Sequence, residues 1–213
     1  EGRGFVRWGE RMLFIDGELP DELVSGRVTK KSSKTAEGVA KEILVPSPAR
    51  GQPECPHAAV CGGCSLQHLP HQSQINHKSN TLDELMTREG IALDQVTRLP
   101  PLLGPTLGYR RRARLGVRWV HAKGRVLVGF RERGSNFIAD IDGCPVLDPR
   151  IGQSLDQLAT TIAALSAPDR IPQVDAAARD DTVAAGGPPL EAFPSTQLQQ
   201  WRDSAKDPAL HAH

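Results

Sequence analysis

Four cysteines constrain this chain more than any other feature. Cys55, Cys61 and Cys64 lie within ten residues, and Cys144 follows far downstream. Thiolates prefer soft metals, so such a set fits a tetrahedral zinc site or an iron–sulfur cluster. Three close cysteines and one distant cysteine suit a [4Fe-4S] cube, because one loop can hold three irons and a separate segment the fourth. We therefore expect these four side chains to bind one [4Fe-4S] cluster.

Two other uses of these cysteines remain open. Two disulfide bonds would also consume four thiols, but the chain begins Glu-Gly-Arg-Gly with no apolar signal peptide, and disulfides are rare in reducing compartments. We therefore expect a cytoplasmic protein, and a chain cut from a longer one. A Cys3His zinc site would instead leave Cys144 as a core residue. Its histidine would be His57, His68 or His71.

The positive charge of the chain is concentrated in one segment. The formal net charge is only +1, yet residues 104–135 contain nine arginines and lysines against a single acid, Glu132. A segment with that charge is suited to bind a polyanion. No run of about 18 apolar residues occurs, so we expect no membrane span.

The first 46 residues have the pattern of a small β-module. Four apolar runs are separated by turn-forming residues, and they lie at 5–8, 12–15, 23–29 and 39–45. Strands this short cannot form a wide sheet that is covered on both faces, but they can close into an OB-like barrel. Three prolines between residues 46 and 53 then predict a stiff linker that leads to Cys55.

A helix is predicted over residues 71–89, because apolar side chains recur at helical spacing and Gly90 supplies the stop. The stripe consists of Ile75, Leu82, Leu85 and Met86. We expect this stripe to face the core.

Residues 109–120 predict a strand with one apolar face and one basic face. A face made of arginines requires an anionic partner, which is either RNA or nearby acids such as Asp140 and Asp142. Further strands at 125–133 and 137–141 would complete an antiparallel meander that ends at Cys144. The candidate RNA-binding residues of this region are Arg110, Arg112, Arg114, Arg118, Arg131 and Arg133.

A second helix is predicted after the meander, with Asp148 as its cap and Pro149 as its first residue. Its apolar stripe, which would continue to Pro168, consists of Ile151, Leu155, Leu158, Ile162 and Leu165. Residues 171–177 and 182–184 predict a hairpin. Residues 185–213 have little periodicity beyond a short helical pattern near 196–205, and they read as an irregular tail.

Several of these segments together resemble one known family. Cys-Pro-His at 55–57 and Cys-Gly-Gly-Cys-Ser-Leu-Gln-His at 61–68 are similar to the cluster loop of the RlmD (RumA) family, the 23S ribosomal RNA uracil-5 methyltransferases. Four further matches are Pro-Ser-Pro-Ala-Arg at 46–50, Gly-Tyr-Arg-Arg-Arg-Ala-Arg-Leu at 108–115, Val-Gly-Phe-Arg-Glu-Arg at 128–133 and Asp-Gly-Cys-Pro-Val-Leu at 142–147. The resemblance extends over about residues 2–184.

The resemblance implies an α+β chain in three parts. Residues 1–46 would be a TRAM-like β-barrel, in which Lys30 and Lys31 extend a basic loop toward RNA phosphates unless they only keep a hairpin turn solvated. Residues 47–184 would be a small α/β domain with an antiparallel sheet and the [4Fe-4S] loop, and 185–213 the tail. Pro20-Asp21-Glu22 and Thr35-Ala36 depart from the family pattern.

The resemblance also implies a reaction for the full-length enzyme. A cysteine thiolate adds to carbon 6 of uracil, carbon 5 takes the methyl group of S-adenosylmethionine, and a base removes the proton. That chemistry belongs to a Rossmann-like domain, which we expect this chain to lack, because it contains no glycine-rich strand-to-helix turn. All four cysteines would be cluster ligands, so none remains as nucleophile.

We therefore expect a monomeric chain that binds 23S rRNA and a [4Fe-4S] cluster but does not catalyse methyl transfer alone. The alternative is a stand-alone, non-catalytic iron–sulfur RNA-binding protein from a truncated gene. TRAM-bearing radical enzymes fit less well, because their loop is C-x3-C-x2-C whereas this loop is C-x5-C-x2-C.

Overall fold

The computed structural model describes residues 3–186, which form a mixed α/β chain with two four-stranded sheets. The strands are β1 (Arg3–Trp8), β2 (Arg11–Asp16), β3 (Leu23–Lys31), β4 (Thr35–Val45), β5 (Arg112–Val120), β6 (Arg125–Gly129), β7 (Gln173–Ala178) and β8 (Val183–Gly186). The α-helices are α1 (His71–Arg88), α2 (Pro149–Gly152) and α3 (Leu155–Ala163), and short 3-10 turns lie at Leu93–Gln95, His121–Lys123 and Pro168–Arg170. No helix in the described part of the chain is both long and apolar enough to cross a membrane.

The chain divides into two compact units. The first unit contains the described residues up to Glu54 together with Cys64–Gly104, and the second contains Cys55–Gly63 together with the described residues from Pro105 to Gly186. The predicted tail lies outside the described residues beyond Gly186, as does the possible helix near 196–205.

The four predicted N-terminal strands are confirmed, but they do not close into a barrel. The sheet order is β1-β2-β4-β3, with β2 parallel to β4 and the other pairs antiparallel. Among the described residues no ladder joins the edge strands β1 and β3, so the sheet stays open and the prediction of a closed barrel was wrong in this respect. Three register shifts between β3 and β4 bend the sheet.

A buried carboxylate fastens the linker to this sheet. The Glu22 side chain is fully buried and accepts hydrogen bonds from the backbone N–H groups of Leu19 at 2.8 Å and Ser47 at 3.1 Å. The Arg50 guanidinium donates to both carboxylate oxygens, with Nη2 2.6 Å from Oε2. Burial alone would raise the pKa of Glu22, but the hydrogen bonds from Arg50, Ser47 and Leu19 and the charge of Arg50 outweigh it and lower that pKa to about 2.

Helix α1 is confirmed at His71–Arg88, but its apolar stripe is not core. No residue of α1 is buried, and Leu82 and Leu85 are 50% and 46% exposed. The prediction that this stripe faces the core was therefore wrong for Leu82 and Leu85, whereas Ile75 and Met86 are half-buried. Most of the stability of a protein helix comes from packing of its apolar face. The exposed part of this face therefore contributes little to the stability of α1.

The second sheet has the order β6-β5-β7-β8, and every pair is antiparallel. The predicted hairpin near the end of the described chain is confirmed as β7 and β8. The other edge of β5 is occupied by β7, with Arg112 opposite Ala177 and Gly116 opposite Gln173, a pairing that the meander did not include. The predicted third strand at 137–141 does not form a full strand beside the end of β6. Residues 137–141 instead make one isolated bridge, between Ile138 and Arg131.

The helical region after Cys144 is capped as predicted but broken in two. The carboxylate of Asp148 accepts from the backbone N–H of Arg150 at 3.1 Å, which begins α2. The helix ends at Gly152 and restarts as α3 after Ser154. All five members of the predicted stripe are buried in the core of the second unit: Ile151, Leu155, Leu158, Ile162 and Leu165.

We predict that Glu22→Gln destabilises the first unit by on the order of 3 kcal/mol at neutral pH. The pKa of Glu22 lies below its ordinary value of 4.5, so its stabilisation is complete above about pH 5 and is lost as the pH falls toward 2. The melting temperature of the variant should therefore lie below that of the wild type at neutral pH, and the difference should become smaller as the pH is lowered. Glu10→Gln, in the exposed β1–β2 turn, is the control. An equal difference in melting temperature at pH 7 and pH 2.5 would contradict a stabilising role for the ionised Glu22 carboxylate.

Candidate metal centre and nucleic-acid interface

The cysteine loop, defined as Cys55–Gly63, folds on its own backbone. The carbonyl of His57 accepts hydrogen bonds from the N–H groups of Val60 at 3.0 Å and Cys61 at 2.8 Å, and the N–H of Ala58 donates to the carbonyl of Cys55 at 3.2 Å. Cys55 and Cys61 are buried. The four cysteines are not joined by disulfide bonds, so the disulfide alternative is not formed.

The cysteine loop is also fastened to the segment that follows β6. The N–H of Gly62 donates to the carbonyl of Arg131 at 2.8 Å, and the N–H of Arg133 donates to the carbonyl of Val60 at 2.9 Å. Cys61 forms an isolated antiparallel bridge with Glu132. Together these contacts hold the end of the loop, around Cys61, against residues 131–133.

Glycine is required where the loop meets that segment. A Cβ on Gly62 would lie 2.9 Å from the carbonyl oxygen of Arg131, and one on Gly63 would lie 2.9 Å from the Phe130 ring and 3.3 Å from Cys61 Sγ. The two distances of 2.9 Å are shorter than a normal contact of a carbon atom, so a side chain at either glycine would force the loop away from residues 130–131.

Cys144 is held at its backbone by the start of the helical region. Its N–H donates to the carbonyl of Gly152 at 3.0 Å. A Cβ on Gly152 would lie 2.2 Å from the carbonyl oxygen of Cys144. The absence of a side chain at Gly152 therefore lets the backbone of the predicted fourth ligand approach the end of α2. Cys64 belongs to the first unit, whereas the other three cysteines belong to the second.

Within residues 3–186, no three Cys, His, Asp or Glu side chains are grouped as a single metal ion would require. In a [4Fe-4S] cube each thiolate binds a different iron, so the four sulfurs do not converge on one point. The [4Fe-4S] cluster therefore stays a prediction. The donor chemistry fits such a group, because four thiols are available, of which Cys55 and Cys61 are buried in the cysteine loop and Cys144 is held at its backbone.

Strand β5 has the two predicted faces. Ala113, Leu115 and Val117 are buried in the core of the second unit. Arg112, Arg114 and Arg118 alternate with these residues and are exposed, whereas Arg110 is half-buried and lies with its guanidinium 5.0 Å from the centre of the Phe130 ring.

The exposed arginines differ in their partners. Arg114 makes a two-point ion pair with Asp175 on β7, at 2.8 and 3.2 Å. The hydrogen bond from Arg114 lowers the pKa of the Asp175 carboxyl. Arg112 and Arg118 make no side-chain ion pair with any described residue. These two arginines are therefore the members of the basic face with the most freedom to bind an external anion.

The other predicted basic residues differ in their contacts. Arg131 donates to the side-chain oxygen of Asn136 at 3.1 Å, and Arg133 donates through Nε to the carbonyl of Ala58 at 3.0 Å. Lys30 and Lys31 are exposed on β3, and Lys31 Nζ lies 4.8 Å from the centre of the Trp8 ring. Asp140, named above as a possible partner of the arginine face, instead pairs with Lys123 and Arg125.

The sequence reading missed an exposed aromatic residue on the first sheet. Phe5 is 69% exposed and shares its face of β1 with Arg3 and Arg7, because alternate residues of a strand point the same way. Its cross-strand neighbour is Phe14. The available signal was the alternation of cation, aromatic and cation at residues 3, 5 and 7, which is typical of surfaces that stack and bind single strands.

We predict that Gly62→Ala destabilises the second unit by about 1–3 kcal/mol, because the added methyl group meets the backbone of Arg131. Gly104→Ala is the matched control, since a Cβ there meets no atom within 4 Å. Thermal melts of the metal-free chain would compare the two. Equal melting temperatures for both variants would show that the loop is not docked on residues 131–133.

Comparison with known proteins identifies close relatives along the whole chain. The 23S rRNA (uracil(1939)-C(5))-methyltransferase RlmD of Alkalilimnicola ehrlichii is 44% identical over 211 residues, which are 99% of this chain and 47% of that protein. The proteins of the same name from Alcanivorax borkumensis and Nitrosococcus oceani are 45% and 46% identical over 86% and 85% of this chain, and the match covers 41% of each of them. This chain thus spans about half the length of these relatives. No family model matches it.

One solved structure shows a similar fold. The tRNA (uracil-54, C5)-methyltransferase of Pyrococcus abyssi, crystallised with S-adenosyl-L-homocysteine, aligns with a TM-score of 0.56 and 22% sequence identity. The alignment covers 92% of this chain and 48% of the archaeal protein. At that identity the likeness concerns the fold alone.

Proposed function

We propose that this chain is the RNA-recognition and iron–sulfur portion of an S-adenosylmethionine-dependent 23S rRNA uracil-5 methyltransferase. The observation that carries the proposal is the 44% identity to an RlmD protein over 99% of this chain, which accounts for only 47% of the relative. The exposed part of the α1 stripe, with Leu82 and Leu85 about half exposed, supports a chain that binds further polypeptide at this face. In this proposal the methyl donor binds to the remaining part of the enzyme.

The RNA surface of the proposal has two parts. On the second unit, Arg112 and Arg118 carry charges without ion-pair partners among the described residues, and they bind phosphates. On the first unit, we propose that residues 1–46 are a TRAM-like module, in which Phe5 stacks on a base and Lys30 and Lys31 bind the backbone. Arginine and lysine contacts to phosphate are independent of sequence, so these residues supply affinity rather than choice of nucleotide.

The proposed ligands of the [4Fe-4S] cluster are Cys55, Cys61, Cys64 and Cys144. The cluster, when bound, supplies a covalent tie between the loop and the segment that holds the distant cysteine. Such a tie constrains the unfolded chain most when it closes a long loop. With all four thiols bound to iron, this chain has no cysteine left as a nucleophile, and methyl transfer requires the rest of the enzyme.

We predict that changing Arg112 and Arg118 together to Gln weakens binding to an unstructured RNA oligonucleotide and lowers the salt slope by about 1.4, since each phosphate contact on a single strand contributes about 0.7. Fluorescence anisotropy over a range of potassium chloride concentrations measures the slope. The matched control is Lys123→Gln with Arg125→Gln, which removes the same charge from side chains that pair with Asp140. If both double variants lower the slope equally, the effect is general charge and the assigned face is wrong.

A further inference from the structure

Two side chains of the second unit reach the cysteine loop from outside it. Arg133 contacts the carbonyl of Ala58, and Asp142 contacts the ring of His57. We propose that Arg133 and Asp142 are positioning residues that hold the cysteine loop in its cluster-binding conformation, and that the Arg133 cation also stabilises the reduced cluster. This inference rests on the proposed iron–sulfur function.

Arg133 holds the loop at two points. Its backbone N–H donates to the carbonyl of Val60 at 2.9 Å, and its guanidinium Nε donates to the carbonyl of Ala58 at 3.0 Å in a half-buried position. Both acceptors lie between Cys55 and Cys61, so the contacts shape the turn that separates two proposed ligands. Arg131 is two residues away and points its guanidinium to Asn136 instead. The two arginines thus differ in role, although their sequence context predicts RNA contact for both.

Asp142 links the loop to the segment of the distant cysteine. Its Oδ1 lies 2.7 Å from His57 Nε2, and the carbonyl of His57 accepts the N–H groups of Val60 and Cys61. Asp142 itself precedes Cys144 by two residues. The pair therefore fixes the spacing between the cysteine loop and the proposed fourth ligand before any iron binds. The His57 side chain is 21% exposed and that of Asp142 is 79% exposed, so we expect the contact to position the loop more than to stabilise the fold.

Charge distinguishes the two residues. A cluster bound by four thiolates carries a net negative charge, and its reduction potential depends on nearby charges and hydrogen bonds. A cation next to the loop favours the addition of an electron, whereas an anion opposes it. Removal of the Arg133 charge should therefore lower the reduction potential, and removal of the Asp142 charge should not. A loop that was merely loosened would change in the same direction in both variants.

The test uses the whole chain with Arg133→Gln, Asp142→Asn and the control Arg125→Gln, each loaded with iron and sulfide under anaerobic conditions. Loss of the visible cluster absorbance to an iron chelator should be about tenfold faster in the first two variants than in the wild type, because loss of residues that support a metal site typically weakens metal affinity by about tenfold or more. The control should keep the wild-type rate. In a redox titration, the reduction potential of the cluster should be lower than in the wild type for Arg133→Gln but not for Asp142→Asn or Arg125→Gln. The reduction potential of Arg133→Lys should lie between those of Arg133→Gln and the wild type.

Two results would overturn the inference, and they differ from each other. If Arg133→Gln keeps the wild-type rate of cluster loss and potential but lowers the salt slope of RNA binding, then Arg133 faces RNA and does not hold the loop. If the wild-type chain itself takes up no iron, then the proposed cluster fails and this inference fails with it. Circular dichroism of each metal-free variant identifies a folding defect. If Arg133→Gln fails to fold, Arg133→Lys, which keeps the charge, replaces it in the test. Its cluster should then have a reduction potential close to that of the wild type and should be lost faster.

Discussion

The cysteine loop and residues 131–133 are joined backbone to backbone, and much of the second unit is arranged around that junction. Gly62 donates to Arg131, Arg133 donates to Val60, and Cys61 bridges to Glu132. These bonds are possible only because Gly62 and Gly63 have no side chains to keep the two segments apart. The N–H of Ala139 in turn bonds the carbonyl of Phe130 at 2.9 Å, so the same segment carries the chain onward toward Cys144. A loop rich in thiols is thereby held in place without any metal, which makes it a suitable ligand set.

Strand β5 connects this junction to the basic surface. One face carries Leu115 and Val117 into the core, and the other carries Arg112 and Arg118 to the exterior. Because side chains alternate along a strand, burial of the first set places the second on the opposite face, which is exposed here. The same strand therefore stabilises the second unit through its apolar face and supplies positive charge to the surface of that unit through its arginines. Asp175 neutralises Arg114 from the neighbouring strand β7, which reduces the basic face to fewer, more widely spaced arginines than the sequence pattern indicates.

Local periodicity predicted what depends on local physics. The alternation of β5, the helical spacing of α1 and the cap at Asp148 are all present at the expected residues. The errors concern partners that are distant in sequence. The pairing of β5 with β7 was not predicted, because the two strands are distant in sequence and periodicity does not encode the tertiary register that joins them. The ion pair of Arg114 with Asp175 depends on that register, so no inspection of the arginine strand alone could find it. The exposure of Leu82 and Leu85 depends on what covers α1, which periodicity does not encode.

The central claim is that the four cysteines bind one iron–sulfur cluster in a chain that recognises RNA. The most direct measurement is the iron and acid-labile sulfide content of the chain, purified without oxygen, together with its visible spectrum. The account predicts a brown protein with about four irons and four sulfides per chain, and loss of both in a variant in which Cys55, Cys61 and Cys64 are changed to Ser. A colourless protein that contains one zinc per chain would contradict it.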